Sequence, residues 1–109
     1  MEAARRTVEG FFARRRAVSL RLPGGWFGRP GDNAHRLTGL SADDEGLRIE
    51  LDGTQALVLH GPVVATDHGR VLRLTAFAHA TWRWVPYGSA ADERPRERRF
   101  DGGTIELHG

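Results

Sequence analysis

The stretch from Leu47 to His60 leaves this chain little choice of secondary structure. Leu47, Ile49 and Leu51 alternate with Arg48 and Glu50, the period of a strand with one face in a core. Asp52-Gly53 follows, and Thr54 to His60 is apolar again. An Asp-Gly pair between two such runs marks a hairpin, because both residues tolerate the positive φ of a tight turn. A two-residue loop predicts the pairs Leu51 with Thr54, Ile49 with Ala56 and Leu47 with Val58. It leaves Leu57 and Leu59 on the other face, so the second strand is apolar on both sides, as a central or barrel strand would be.

The rest of the chain repeats the period. Val18, Leu20 and Leu22 alternate with Ser19 and Arg21, and Pro23-Gly24-Gly25 ends that strand. Residues 34–40, 63–66, 71–75 and 104–107 read as further short strands. Residues 78–87 carry Ala80, Trp82, Trp84 and Pro86 on one face and His79, Thr81, Arg83, Val85 and Tyr87 on the other. Residues 89–99 combine mixed charges with Pro95 and read as a mobile loop. Only the N-terminus has helical period. Val8, Phe11 and Phe12 fall at i, i+3 and i+4, and a helix this short must dock its phenylalanines on something.

These patterns predict one all-β domain: a strongly bent antiparallel sheet or small barrel of six to eight strands, with a short N-terminal helix as lid or plug. Its parts are an Arg-rich helix or arm at 1–16, a β core at 17–88, a charged loop at 89–103 and a last strand at 104–108. A barrel would remove the exposed edges that many short strands otherwise create. At 109 residues the chain suffices for one core.

Composition excludes several functions. Without cysteine there are no disulfides and no thiolate zinc sites, which fits a cytoplasmic protein. No apolar run approaches the roughly 20 residues of a membrane span, and the N-terminus lacks the apolar core of a secretory signal. All basic residues other than histidine are arginine. The sequence pI of about 10.3 beside a net charge of +2 reflects arginine's high pKa. Residues 1–36 hold eight arginines against Glu2, Glu9 and Asp32, a basic end that could meet phosphate. Arg14-Arg15-Arg16 reads either as a phosphate clamp or as a solvated helix end that suits the helix dipole.

Functional residues concentrate in Gly24-Gly25-Trp26-Phe27-Gly28-Arg29-Pro30-Gly31-Asp32-Asn33-Ala34-His35. Its glycines let the backbone bend sharply, and Pro30 holds Arg29 extended. Either Trp26 or Phe27 plugs the core, or an aromatic serves as a platform beside Arg29, Asp32, Asn33 and His35. Trp82 and Trp84, two residues apart, share a face, as core side chains or as a stacking surface for a base or sugar. Asp32 and His35 could form an acid–base pair, or merely lock a turn. The candidate ligand-binding set is Trp26, Arg29, Asp32, Asn33, His35, Trp82, Trp84 and Tyr87.

No catalytic residue, metal ligand or cofactor follows from the sequence. The five histidines show no i, i+2 or i, i+4 spacing. The serines have no triad context, and no glycine loop opens a helix with a following lysine. A non-catalytic module binding a small ligand or protein partner is therefore the expected function. Nucleic-acid binding through the Arg-rich N-terminal part and exposed tryptophans, and an enzyme using Asp32 and His35, are the alternatives.

The Trp26 to Pro30 segment with Asp32, Asn33 and His35, followed by Val58 to Pro62 and by Trp82-Arg83-Trp84 with Tyr87-Gly88, resembles a family of small uncharacterised bacterial proteins. That family pairs a WFGRPxDNxH-type segment with a tryptophan-rich strand ending in Tyr-Gly. The resemblance covers residues 20–88 and implies no activity. It does imply that the two tryptophan-bearing segments form one spatial unit.

Overall fold

A computed structural model describes residues 1–28, 34–85 and 94–109. Helix α1 (Glu2–Ala13) is followed by β1 (Ser19–Leu22), β2 (Gly25–Trp26), β3 (Leu37–Ala42), β4 (Gly46–Leu51) and β5 (Gln55–His60). Then come β6 (Val64–Asp67), β7 (Val71–Thr75), β8 (His79–Trp84), β9 (Arg96–Phe100) and β10 (Ile105–His108). All pairings are antiparallel. One sheet runs β2-β1-β10-β7-β6, and the second runs β3-β4-β5-β8-β9.

The all-β class and the N-terminal helix match the sequence pattern. The single bent sheet or barrel of six to eight strands does not. Among the described residues there are ten strands in two five-stranded sheets, with no closed barrel. The chain changes layer between β2 and β3, β5 and β6, β7 and β8, and β9 and β10; at the last three corners Gly61, Ala76, Gly102 and Gly103 have positive φ. An isolated bridge between Val18 and His35 links the two layers, its N–H groups 2.8 and 2.9 Å from their acceptors.

Between the sheets lies one core, contributed by Leu20, Leu22, Leu72, Leu74, Ile105 and Leu107 from the first and Leu47, Ile49, Leu51, Leu57, Leu59 and Trp82 from the second. Helix α1 packs against β6 and β3, an edge strand of each sheet, and buries Ala4, Val8, Phe11 and Phe12. It thus covers two edges that would otherwise stand open. Its charges are largely used within the fold: Arg5 bonds Glu2 and Glu9, and Arg14 bonds Asp67. No helix among the described residues is long and apolar enough to cross a membrane.

Two local expectations are corrected. The β4–β5 loop has three residues, not two, so Leu51 pairs with Gln55, Ile49 with Leu57 and Leu47 with Leu59. A one-residue slip moves a whole strand's side chains to the other face, and this one sends Leu57 and Leu59 into the core. Tertiary contacts select it. Asp52 and Gly53 both have positive φ, the Asp52 N–H donates to the Arg36 carbonyl, and the Gly53 N–H donates to Thr38 Oγ1. Arg96–Phe100, inside the expected charged loop, forms β9, with Trp82 opposite Arg98 and Trp84 opposite Arg96. Its charges suit an edge strand, where they discourage pairing with other chains.

Candidate functional site

Strand alternation decides the fate of Trp26 and Phe27. A two-residue turn, Pro23-Gly24, joins β1 to β2 and sets Arg21 opposite Trp26. Leu20 and Leu22 point into the core, so Arg21 and Trp26 share the outer face. Phe27, one residue on, turns inward, its N–H 3.0 Å from the Leu20 carbonyl. The Phe27 ring meets Trp82 edge-on at 5.1 Å and Trp84 at 5.4 Å between centroids. The glycine-rich segment and the late tryptophan strand therefore touch. Trp82 is fully buried, with no acceptor for its indole N–H among the described residues, whereas Trp84 is half-buried.

His35 closes this aromatic group. Its ring lies 5.9 Å from Trp82 and 6.0 Å from Phe27, and the residue is only 6% exposed. Its partner is Asp52 at the tip of the β4–β5 hairpin, with Nδ1 2.7 Å from Oδ2. An ionised carboxylate only accepts, so this bond places the proton on Nδ1. Asp52 Oδ1 accepts from the Arg36 N–H at 2.9 Å, and Oδ2 also accepts from Gln55 Nε2 at 3.2 Å. Asp52 thus pins the strand leading into β3 to the hairpin tip. The carboxylate is fully engaged as a clamp, which is structural work.

The outer face of the first sheet is organised differently. Trp26, Arg21, Glu106 and Arg73 stand in one cross-strand row over β2, β1, β10 and β7. Glu106 is its hub: Oε1 is 3.1 Å from His108 Nε2 and 3.4 Å from Arg21 Nη1, and Oε2 is 3.1 Å from Arg73 Nη2. The His108 hydrogen bond, then that from Arg73, holds its carboxyl below the usual glutamate range despite the opposing effect of burial. Trp26 rests beside this network, 4.7 Å from the His108 ring and with the Arg21 guanidinium 5.8 Å from its centroid. It stays 44% exposed and lines an open cleft of about 280 Å³ with Val18, Ser19, Ala34 and His108. Ala34 joins this cleft to the His35 clamp. A second depression of about 390 Å³ lies along Arg21, Pro23, Arg73, Thr104 and Glu106.

No family model, curated protein or solved structure matches this chain.

Of the expected set, Trp26 lies at the surface, His35 and Trp82 are buried, and Trp84 is half-buried. Arg29, Asp32, Asn33 and Tyr87 fall outside the described residues. A carboxylate on His35 comes from Asp52, seventeen residues along the chain, and the expected Asp32 partner lies outside the described residues. Sequence reasoning treated Asp52 only as a turn residue and passed over Arg21, Glu106 and His108. The outward positions of β1 and β10 held the one available signal for those three: opposite charges on strands not yet known to pair. No group of three or more metal-ligating side chains converges among the described residues.

Proposed function

We propose that this chain is a non-catalytic binding module for a small ligand or a protein partner, with the Trp26 cleft as its contact surface. Trp26 carries this reading. Among the described residues only Trp26 and Val64 are large apolar side chains left in water, and Trp26 alone also lines a concavity with polar neighbours. Burying the rest of an indole this exposed removes roughly 100 Å² from water, worth about 2.5 kcal/mol at 25 cal/mol per Å². The network under Arg21 and His108 holds both side chains ready to give direction to that contact.

Catalysis is less well supported. His35 is buried, and the Asp52 carboxylate beside it already serves three donors. Nucleic-acid binding is weakened by the use of Arg5, Arg14, Arg21 and Arg73 in internal ion pairs.

The test combines quenching with ligand screening. Iodide should quench the wild-type protein more than Trp26→Phe, because Trp82 is buried and Trp84 half-covered. Fragments or short peptides found by ligand-observed NMR should shift the Trp26 indole N–H and lose affinity in Trp26→Ala. Binders that leave Trp26 unmoved would defeat the proposal. A binder whose affinity falls steeply with salt would favour nucleic acid instead.

A further inference from the structure

The outer face of the second sheet holds a histidine pair that no spacing in the sequence reveals. Antiparallel pairing of β5 with β8 sets His60 directly opposite His79. On the far side of His60 the register residue is Gly46, which has no side chain to cover the pair. Both imidazoles are half-buried and stack with centroids 4.3 Å apart and planes within 16°. A shallow depression of about 150 Å³, lined by His60, Gly46, Asp43 and Glu45, adjoins them. On the β9 side Arg99 and Asp101 bond each other at 2.9 Å.

The geometry points to a two-point chelate for a first-row divalent transition-metal ion, one ring nitrogen from His60 and one from His79, with water completing the coordination. Metal–imidazole bonds of about 2.0–2.1 Å place two cis nitrogens about 3 Å apart. The rings stack with centroids 4.3 Å apart, so turning and tilting the two side chains brings one nitrogen of each toward a shared ion without moving the strands. Imidazole suits copper, nickel and zinc, and Cu²⁺ should bind most tightly of the three. Burial first, then Arg99 and His60, lower the pKa of His79 against the pull of Asp101. No third His, Asp or Glu joins the group among the described residues, so the bound ion exchanges readily and keeps positions open. This site lies on the opposite face of the molecule from Trp26 and does not depend on the proposed function.

Isothermal titration with Ni²⁺ and Cu²⁺ tests it on the full chain. One equivalent should bind, and His60→Gln and His79→Gln should each weaken binding by at least about tenfold, or about 1.4 kcal/mol. The double variant should lose little more than either single one, because a chelate fails when one arm is gone. His68→Gln, at an exposed turn, should bind as the wild type does. Equal losses at all three histidines, or additive losses at His60 and His79, would mean independent surface imidazoles and overturn the proposal. Circular dichroism checks that the variants fold. On the unmodified protein, sub-stoichiometric Cu²⁺ should broaden the His60 and His79 ring resonances before that of His68; the reverse order would also overturn it.

Discussion

Asp52→Ala should be among the most damaging single changes outside the apolar core. The substitution removes the acceptor of three hydrogen bonds, from His35, Arg36 and Gln55. The exposed Arg36 amide can rehydrate cheaply. His35 cannot, because it is 6% exposed, and a buried donor stripped of its acceptor costs about 1–3 kcal/mol. Position 52 also has φ 57°, where aspartate is tolerated and alanine costs about 1 kcal/mol more. The expected loss is therefore about 2–4 kcal/mol, a large part of the stability of a typical domain. Asp52→Gly removes the acceptors without the backbone strain and should cost about 1–3 kcal/mol. Asp52→Asn keeps one carbonyl oxygen and the left-handed conformation and should cost about 1 kcal/mol. Urea unfolding followed by circular dichroism gives each value from the midpoint at constant slope. The clamp argument is wrong if Asp52→Ala costs under about 0.5 kcal/mol, or if Asn and Ala are equally damaging.

Other consequences are checked in the same way. Leu57→Ala and Leu59→Ala should each cost about 2–5 kcal/mol, whereas Val58→Thr should cost under about 1 kcal/mol; the reverse ranking would restore the two-residue hairpin loop. Glu106 has a folded pKa below its ordinary 4.5, so its contribution is present above pH 4.5 and is lost as pH falls through the lowered value. Glu106→Gln should flatten the fall in urea midpoint over that range, and parallel losses in both proteins would contradict the network drawn around it. Ala76 sits at φ 68°, so Ala76→Gly should be neutral or stabilising by about 0.5 kcal/mol in melting experiments. Gly46→Ala should destabilise strongly, because a Cβ there would run into the Leu59 carbonyl.

Much of the architecture is local and therefore legible. Alternation at Leu47–Leu51 and Val71–Thr75 specifies strands, and it names the buried faces of both. The i, i+3, i+4 spacing of Val8, Phe11 and Phe12 specifies a helix with one docking stripe, which is the stripe it buries. The bond between His35 and Asp52 was illegible, because it depends on the hairpin tip meeting the segment that leads into β3, the strand beside β4 in the same sheet. Strand β9 was hidden for a related reason: an edge strand pairs on one side only, so it needs no apolar alternation, and its charges read as a loop.

The sequence by itself determined that this protein is built of short antiparallel strands with one docked helix, because side-chain period and turn chemistry act between near neighbours. Tertiary structure alone decided which aromatic turned outward, that Asp52 reaches His35, and where the β4–β5 hairpin registers. Each of those outcomes is settled by burial and hydrogen bonding between segments far apart in the chain, and one residue of slip would reverse it.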